Sequence, residues 1–188
     1  SYTPMKRVLF LVDRNNLGKQ AEGEFTTYKL TESGEVFNSI YSVKRLTSID
    51  DIQTSKVVIS TIQRLFSAIT GQTLAAVNDD DEDDYADALY DAETEDEVTL
   101  EGKLLLPPDF FDLIIVDECH RSIYGKWQKV LKYFTNAKII GLTATPTPEA
   151  EAFFNHNFVS NYTFEDSVRD GVNVPPRVYR IKTEVSEN

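Results

Sequence analysis

Asp117 and Glu118 are adjacent acids at the end of an apolar run, in the stretch Phe111-Asp112-Leu113-Ile114-Ile115-Val116-Asp117-Glu118-Cys119-His120-Arg121-Ser122. Paired acids in such a place suit nucleotide hydrolysis. One carboxylate holds a Mg²⁺ that bridges phosphate oxygens, and the next positions and deprotonates the attacking water. The bland alternative is an ordinary strand with a polar exit, and hydrophobic-Asp-Glu alone does not separate the two. Asp-Glu-Cys-His is a much narrower pattern.

The element that must carry these acids is Leu113 to Val116. Four consecutive apolar residues lack the alternation of a half-wet strand and suit a central strand of a parallel sheet covered on both faces. The acids then leave at its carboxyl end, where open α/β sheets place their ligand crevice. Other strands end in the same way. Val8 to Val12 exits through Asp13, Arg14 and Asn15 into a helix whose expected apolar face is Leu17, Ala21, Phe25 and Tyr28, with Asn15 or Asn16 able to cap it. Lys56 to Thr61 runs into a helix with Ile62, Leu65, Phe66 and Ile69 on one face. Ser60 or Thr61 should cap it, and their hydroxyls together with first-turn amides could hold a nucleic-acid phosphate. Lys138 to Leu142 ends in Thr143-Ala144-Thr145-Pro146. Val36 to Val43 reads as a weaker strand after a Ser33-Gly34 turn. Ser122 is placed to cap a helix with Ile123, Trp127, Val130, Leu131 and Phe134 at helical spacing, which makes Trp127 a core residue rather than a base-stacking platform.

Composition sets the outer limits. A chain of 188 residues can bury a real core as one domain, and 41% apolar with 27% charged residues is ordinary for a globular protein. No run of 18 apolar residues and no basic-then-apolar leader occurs, so neither a membrane span nor a signal peptide is expected. The single Cys cannot form an internal disulfide, which fits a reducing cytoplasm, and one Cys with two His argues against structural zinc. The net charge of −12 is concentrated. Asp79 to Glu97 holds 12 acids and no Lys or Arg, and the rest of the chain balances 19 acids against 19 bases. A local basic surface remains open to it, and the acidic segment, about 71–106, reads as a surface insertion. Further on, Thr163-Phe164-Glu165-Asp166 has the pattern of a capping box for a short helix ending at Gly171. Pro175-Pro176 then leads into an extended strand or connector from Arg177 to Lys182.

Taken together, four polar strand exits resemble, in order, the motifs of superfamily 2 helicases and translocases. Phe10 to Leu17 looks like motif Ia, Val58 to Leu65 like motif Ib, Asp117 to His120 like motif II, and Thr143-Ala144-Thr145 like motif III. The resemblance narrows to the restriction (R) subunit of type I restriction-modification enzymes, carried by Asp117 to Gly125, by Gly141 to Pro146, by Phe153 to Asn157, by Asp170 to Val174 and by Val178 to Ile181.

That resemblance implies an α/β fold, a RecA-like parallel sheet with helices on both faces, and an ATP-driven translocase on double-stranded DNA. It implies Asp117 as the Mg²⁺ ligand and Glu118 as the residue activating water, with His120, Thr143 and Thr145 coupling the state of bound ATP to motion. Arg14, Asn15, Ser60, Thr61 and Arg64 would line the DNA path, mostly at phosphates. Modification and specificity subunits are the implied partners, with no membrane, in the cytoplasm. The sequence also departs from the pattern. It contains no Gly-x-x-x-x-Gly-Lys-Ser/Thr, since Gly18-Lys19-Gln20 has neither the spacing nor the hydroxyl. Motif I is therefore expected upstream of Arg7, and the fold to be incomplete at its P-loop unit. Residues 1–174 would form the first motor domain, and 175–188 a connector toward a second. Glu101-Gly102-Lys103 imitates a nuclease metal motif in the wrong order and is assigned no cutting role. The alternatives are the motor of another superfamily 2 helicase and a non-catalytic DNA- or protein-binding module.

Overall fold

The computed structural model describes residues 5–71, 104–123, 125–175 and 177. The acidic run 79–97, the Glu101-Gly102-Lys103 triplet and the connector beyond Arg177 lie outside these residues. The chain divides into two compact units, 1–155 and 156–188.

In the first unit five short strands pair in parallel: β1 (Val8–Leu11), β2 (Val43–Arg45), β3 (Val57–Ser60), β4 (Leu113–Val116) and β5 (Lys138–Gly141). Their order across the sheet is β2-β3-β1-β4-β5. Leu9 lies opposite Val58 on one side and Ile114 on the other, and Ile115 lies opposite Ile140. The helices between them are α1 (Asn15–Thr27), α2 (Phe37–Ile40), α3 (Ile49–Thr54), α4 (Ile62–Thr70), α5 (Cys119–Ser122), α6 (Gly125–Tyr133) and α7 (Pro148–Phe153).

Helices cover both faces, as a doubly wound sheet requires. On one face Leu9, Leu11, Val58, Ile114 and Val116 meet Leu65 and Ile69 of α4 and Trp127, Val130 and Leu131 of α6. Trp127 is 5% exposed, with its ring edge-on to Phe66. On the other face Val12, Val43, Val57 and Ile59 pack with Ala21 and Phe25 of α1. That cover ends before β4 and β5. Leu113 and Ile115 are only half-buried, and Ile140 and Leu142 are 45% and 46% exposed. The apolar run in β4 therefore does not mark a strand buried on both sides, because its outward residues form an open apolar strip with their β5 neighbours.

Several local expectations are corrected. In α1 the buried positions are Asn15 and Gly18, while Leu17 and Tyr28 are exposed. Gly18 brings the helix backbone against the sheet, where an added Cβ would touch Val12, Arg45 and Ile59 at 3.5–3.6 Å. A hydrophobic stripe cannot reveal contact made by a residue with no side chain. Val36 to Val43 is not a strand. Val36 makes one antiparallel bridge to Lys29, and α2 follows because Phe37 stacks between Phe25 and Tyr41, with ring centroids 5.3 and 4.9 Å away. Asn38 Oδ1 then accepts from the Val43 amide, where β2 begins. Ser122 does not cap α6 either; it is the buried last residue of α5.

Two side-chain clamps hold the sheet in place. Asp112 Oδ2 accepts from the Lys6 and Arg7 amides at 2.7 and 2.9 Å, fixing the start of β1 beside β4. At α3, Asp51 Oδ2 accepts from the Thr47 amide and hydroxyl and the Ser48 amide and hydroxyl, at 2.7–3.1 Å. The Ser48-x-x-Asp51 spacing is a helix-start signal that a motif-centred reading passes over. Desolvation pushes the Asp51 carboxyl upward, but these four hydrogen bonds outweigh it and hold it at about 2, below its ordinary 3.8. With a depressed folded-state value, this stabilisation is present above pH 3.8 and is lost as pH falls through about 2. Urea unfolding across pH should therefore show Asp51→Asn less stable than the parent chain at neutral pH, with the gap closing in that acid window. A gap independent of pH would show that the carboxylate charge is not what counts.

The acidic segment leaves and returns at one place. The Leu105 amide donates to Ile69 O at 2.8 Å, at the end of α4, and Leu106 O accepts from Tyr133 Oη at 2.6 Å. In the second unit, α8 (Phe164–Arg169) opens on the expected capping box, with Thr163 Oγ1 accepting from the Asp166 amide and Asp166 Oδ2 accepting from the Thr163 amide. Gly171 follows it at φ 73°.

Candidate active site

Parallel strands end on the same side of the sheet, so the exits of β1, β3, β4 and β5 converge. Backbone hydrogen bonds continue past the strands and fix how they meet. The Val12 amide donates to Ser60 O at 3.0 Å, the Asp117 amide to Leu11 O at 2.8 Å, the Leu142 amide to Val116 O at 2.8 Å and the Cys119 amide to Leu142 O at 3.0 Å. Asp117 is thereby placed beside the β1 exit, and Glu118 and Cys119 beside the β5 exit.

The turn between β4 and α5 is tight. Glu118 sits in the left-handed region, φ 44° and ψ 49°, which costs an L residue about 1 kcal/mol. It is held there by its amide donating to Asp117 Oδ1 at 3.1 Å and its carbonyl accepting from the Arg121 amide at 2.9 Å. Both acids stay partly exposed, and the Glu118 side chain is 40% exposed. His120 joins two of the expected residues: its Nδ1 lies 2.9 Å from Thr143 Oγ1 and 3.3 Å from Glu118 Oε2. Thr143 Oγ1 also accepts from the Thr145 amide at 3.1 Å. Glu118, His120, Thr143 and Thr145 thus form one polar chain across the β4 and β5 exits, with Asp117 at its root.

Cys119 takes no part in that chain. Its buried side chain faces Gly141, and its thiol is pushed up by burial first and then by the negative charge of Glu118, so it stays a protonated packing group. Among the described residues no three or more His, Cys, Asp or Glu side chains converge as a metal cage. One or two carboxylates are nevertheless what Mg²⁺ usually takes from a protein when phosphates and waters supply the rest.

The five expected DNA-path residues divide into two sets. The Arg14 side chain is 40% exposed, 3.6 Å from Asp13 Oδ2, and the partly exposed Arg64 donates from Nη1 to Leu46 O at 3.3 Å. Asn15, Ser60 and Thr61 are only 2–3% exposed. Asn15 Oδ1 accepts from Arg45 Nη1 at 3.0 Å, Ser60 Oγ donates to Thr61 O at 2.8 Å, and Thr61 Oγ1 accepts from the Arg64 amide at 3.3 Å as the α4 cap. Each of these three side chains is turned inward, where it holds its strand exit. A reading of motifs also misses the group that ties β1 to β4 here: Asp13, 6% exposed, accepts from Arg121 Nη1. Both lie inside the quoted motifs, but a contact between residues so far apart in the chain leaves no local signal.

Comparison with known proteins adds a further finding. The family described as Type III restriction enzyme, res subunit, matches residues 2–148. The chain is 38% identical over 104 residues to the type I restriction enzyme EcoAI endonuclease subunit of Escherichia coli, an alignment covering 52% of this chain and 13% of that one. It is 28% identical over 185 residues to the EcoKI endonuclease subunit of E. coli strain K12, covering 88% of this chain and 13% of the relative. It is 27% identical over 176 residues to the SsaAORF53P endonuclease subunit of Staphylococcus saprophyticus, covering 89% and 16%. The chain therefore spans less than a fifth of the length of these relatives. No helix among the described residues is long and apolar enough to cross a membrane.

Proposed function

Since this chain belongs to the family described as Type III restriction enzyme, res subunit, and has the parallel α/β sheet of a RecA-like fold, we propose that it is the first motor domain of the R subunit of a type I restriction enzyme. In this reading it works within an ATP-driven translocase on double-stranded DNA, in the cytoplasm, beside modification and specificity subunits. The observation that carries it is the polar chain from Glu118 through His120 to Thr143 and Thr145, which joins the exits of adjacent strands at the end of the sheet where such folds bind ligands.

The residues fit ATP with Mg²⁺. One Asp117 oxygen is engaged by the Glu118 amide, and the other can serve as a metal ligand. When bound, the metal neutralises charge on the phosphate oxygens. Glu118, partly exposed and in the next position, orients the attacking water and accepts its proton. His120 bridges that carboxylate and Thr143, so a shift of Glu118 changes the hydrogen bond at the β5 exit. Arg14 and Arg64 are the side chains able to reach DNA phosphates. Asn15, Ser60 and Thr61 support the loops from beneath.

Motif II residues arrange only metal and water. Tight nucleotide binding also needs amides around the β-phosphate and a Lys at the γ-phosphate, and the Gly-x-x-x-x-Gly-Lys-Ser/Thr that provides them is absent from these 188 residues. The isolated chain should accordingly hydrolyse no ATP and show no micromolar affinity in a calorimetric titration with ATP and Mg²⁺. The full-length subunit, assembled with its partner subunits, should hydrolyse ATP in a DNA-dependent way and displace a triplex-forming strand from linear DNA. An assembled enzyme that turns over no ATP on DNA would sink the proposal.

A further inference from the structure

The Asp13 carboxylate lies buried between two cations that belong to different parts of the site. Its Oδ2 accepts from Arg121 Nη1, on α5 directly after Glu118-Cys119-His120, and lies 3.6 Å from Arg14 Nε, at the start of α1. The side chain of Asp13 is 7% exposed, against 29% for Arg121 and 40% for Arg14. Its Oδ1 is buried and has no hydrogen-bond partner among the described residues. A buried acceptor left unfilled is unfavourable, and an apolar pair of similar volume would commonly hold two strand exits together as well. An ion pair in this place is therefore better explained by where it holds Arg121 and Arg14 than by stability alone.

We propose that Asp13 is a positioning residue that couples DNA contact to ATP turnover. This rests on the reading of the site given above. Arg14 and Arg121 share one carboxylate oxygen, so their positions are linked. When the partly exposed Arg14 turns to a DNA phosphate it leaves Asp13 to Arg121, and the buried Oδ1 gives the carboxylate a second acceptor with which to take up the Arg121 guanidinium more fully. Arg121 moves with α5, whose amino end is Glu118 and whose second residue is His120. The path from β1 to the water-activating acid is then Arg14, Asp13, Arg121 and the backbone of α5, in which the Arg121 amide already bonds Glu118 O.

The test uses the full-length subunit in its complex. ATP turnover is measured with and without double-stranded DNA, together with the KM for ATP and the affinity for DNA. Asp13→Asn should lower the ratio of DNA-stimulated to DNA-free turnover about tenfold, within the usual range for coupled sites, while KM and DNA affinity stay within about twofold. The double variant Asp13→Asn with Arg121→Met removes the carboxylate together with the guanidinium that donates to it, so the cation on α5 is not left beside a missing counter-charge. It should fold with a melting temperature close to that of the parent and still lack DNA stimulation, and it supplies the readout if Asp13→Asn alone does not fold. Undiminished stimulation in Asp13→Asn, or full recovery of stimulation in the double variant, would reduce the pair to a structural staple and overturn the inference. An unmodified complex without DNA-stimulated turnover would instead remove the proposed function, and this coupling with it.

Discussion

Glu118→Gln in the full-length subunit is expected to lower ATP-driven translocation by about 10²- to 10⁴-fold, the usual contribution of a positioned general base. The change keeps side-chain volume and leaves the left-handed backbone at this position as strained as before. The amide donating to Asp117 and the carbonyl accepting from Arg121 belong to the main chain and are not altered. Only the carboxylate is lost, both as proton acceptor and as the group 3.3 Å from His120 Nδ1. The KM for ATP should change little, because nothing in this substitution touches the residue assigned to the metal. A fall in kcat at nearly constant KM identifies an interaction made in the transition state. Turnover within a few-fold of the unaltered enzyme would show that another group activates the water.

Gly141→Ala should destabilise the isolated chain by about 1–3 kcal/mol, the typical cost of overpacking, with a larger loss for Val. Gly141 ends β5 opposite Val116, and a Cβ there would lie 2.6 Å from two Phe154 ring atoms and 2.7 Å from Cys119 Sγ. Neither neighbour is free to retreat cheaply. Phe154 packs edge-on against Phe153 at the end of α7, and Cys119 begins the helix that carries His120. The strain is therefore delivered to the site as well as to the core. Urea unfolding of Gly141→Ala would measure the loss, and adding Phe154→Leu should recover part of it, since residues in contact are not additive. An unchanged midpoint in the single variant would mean that the close approach is not a constraint.

The sequence makes legible what depends on local pattern. Apolar runs with polar exits locate β1, β3, β4 and β5, and 3.6-residue spacing finds α4 and α6, because these elements bury side chains in a regular rhythm. It fails where burial is achieved without apolar side chains. Gly18 and Asn15 form the inner line of α1, which turns Leu17 outward. β2 is only Val43-Lys44-Arg45, too short for periodicity to register. At the candidate site, the order of the motifs singles out Asp117, Glu118, His120 and Thr143, and the fold brings the last three within reach of one another. Motif order says nothing about which way a hydroxyl turns. Ser60 and Thr61 face inward because the first is bonded to the neighbouring carbonyl and the second to an α4 amide.

The closed stem beneath the acidic segment separates that segment's length from the geometry of the sheet. The chain departs at Gly71 and is tied back at Leu105, whose amide bonds Ile69 O and whose side chain would touch a Cβ added at Gly71 at 3.6 Å. Because the Leu105 amide is bonded to Ile69 O, the approach to β4 is set by this junction and not by the number of residues between Gly71 and Leu105. Insertions and deletions there are thus nearly neutral to the register of β4 against β1. Over evolutionary time such a segment can lengthen, shorten or change its charge while the distance between Asp13 and Arg121 is preserved.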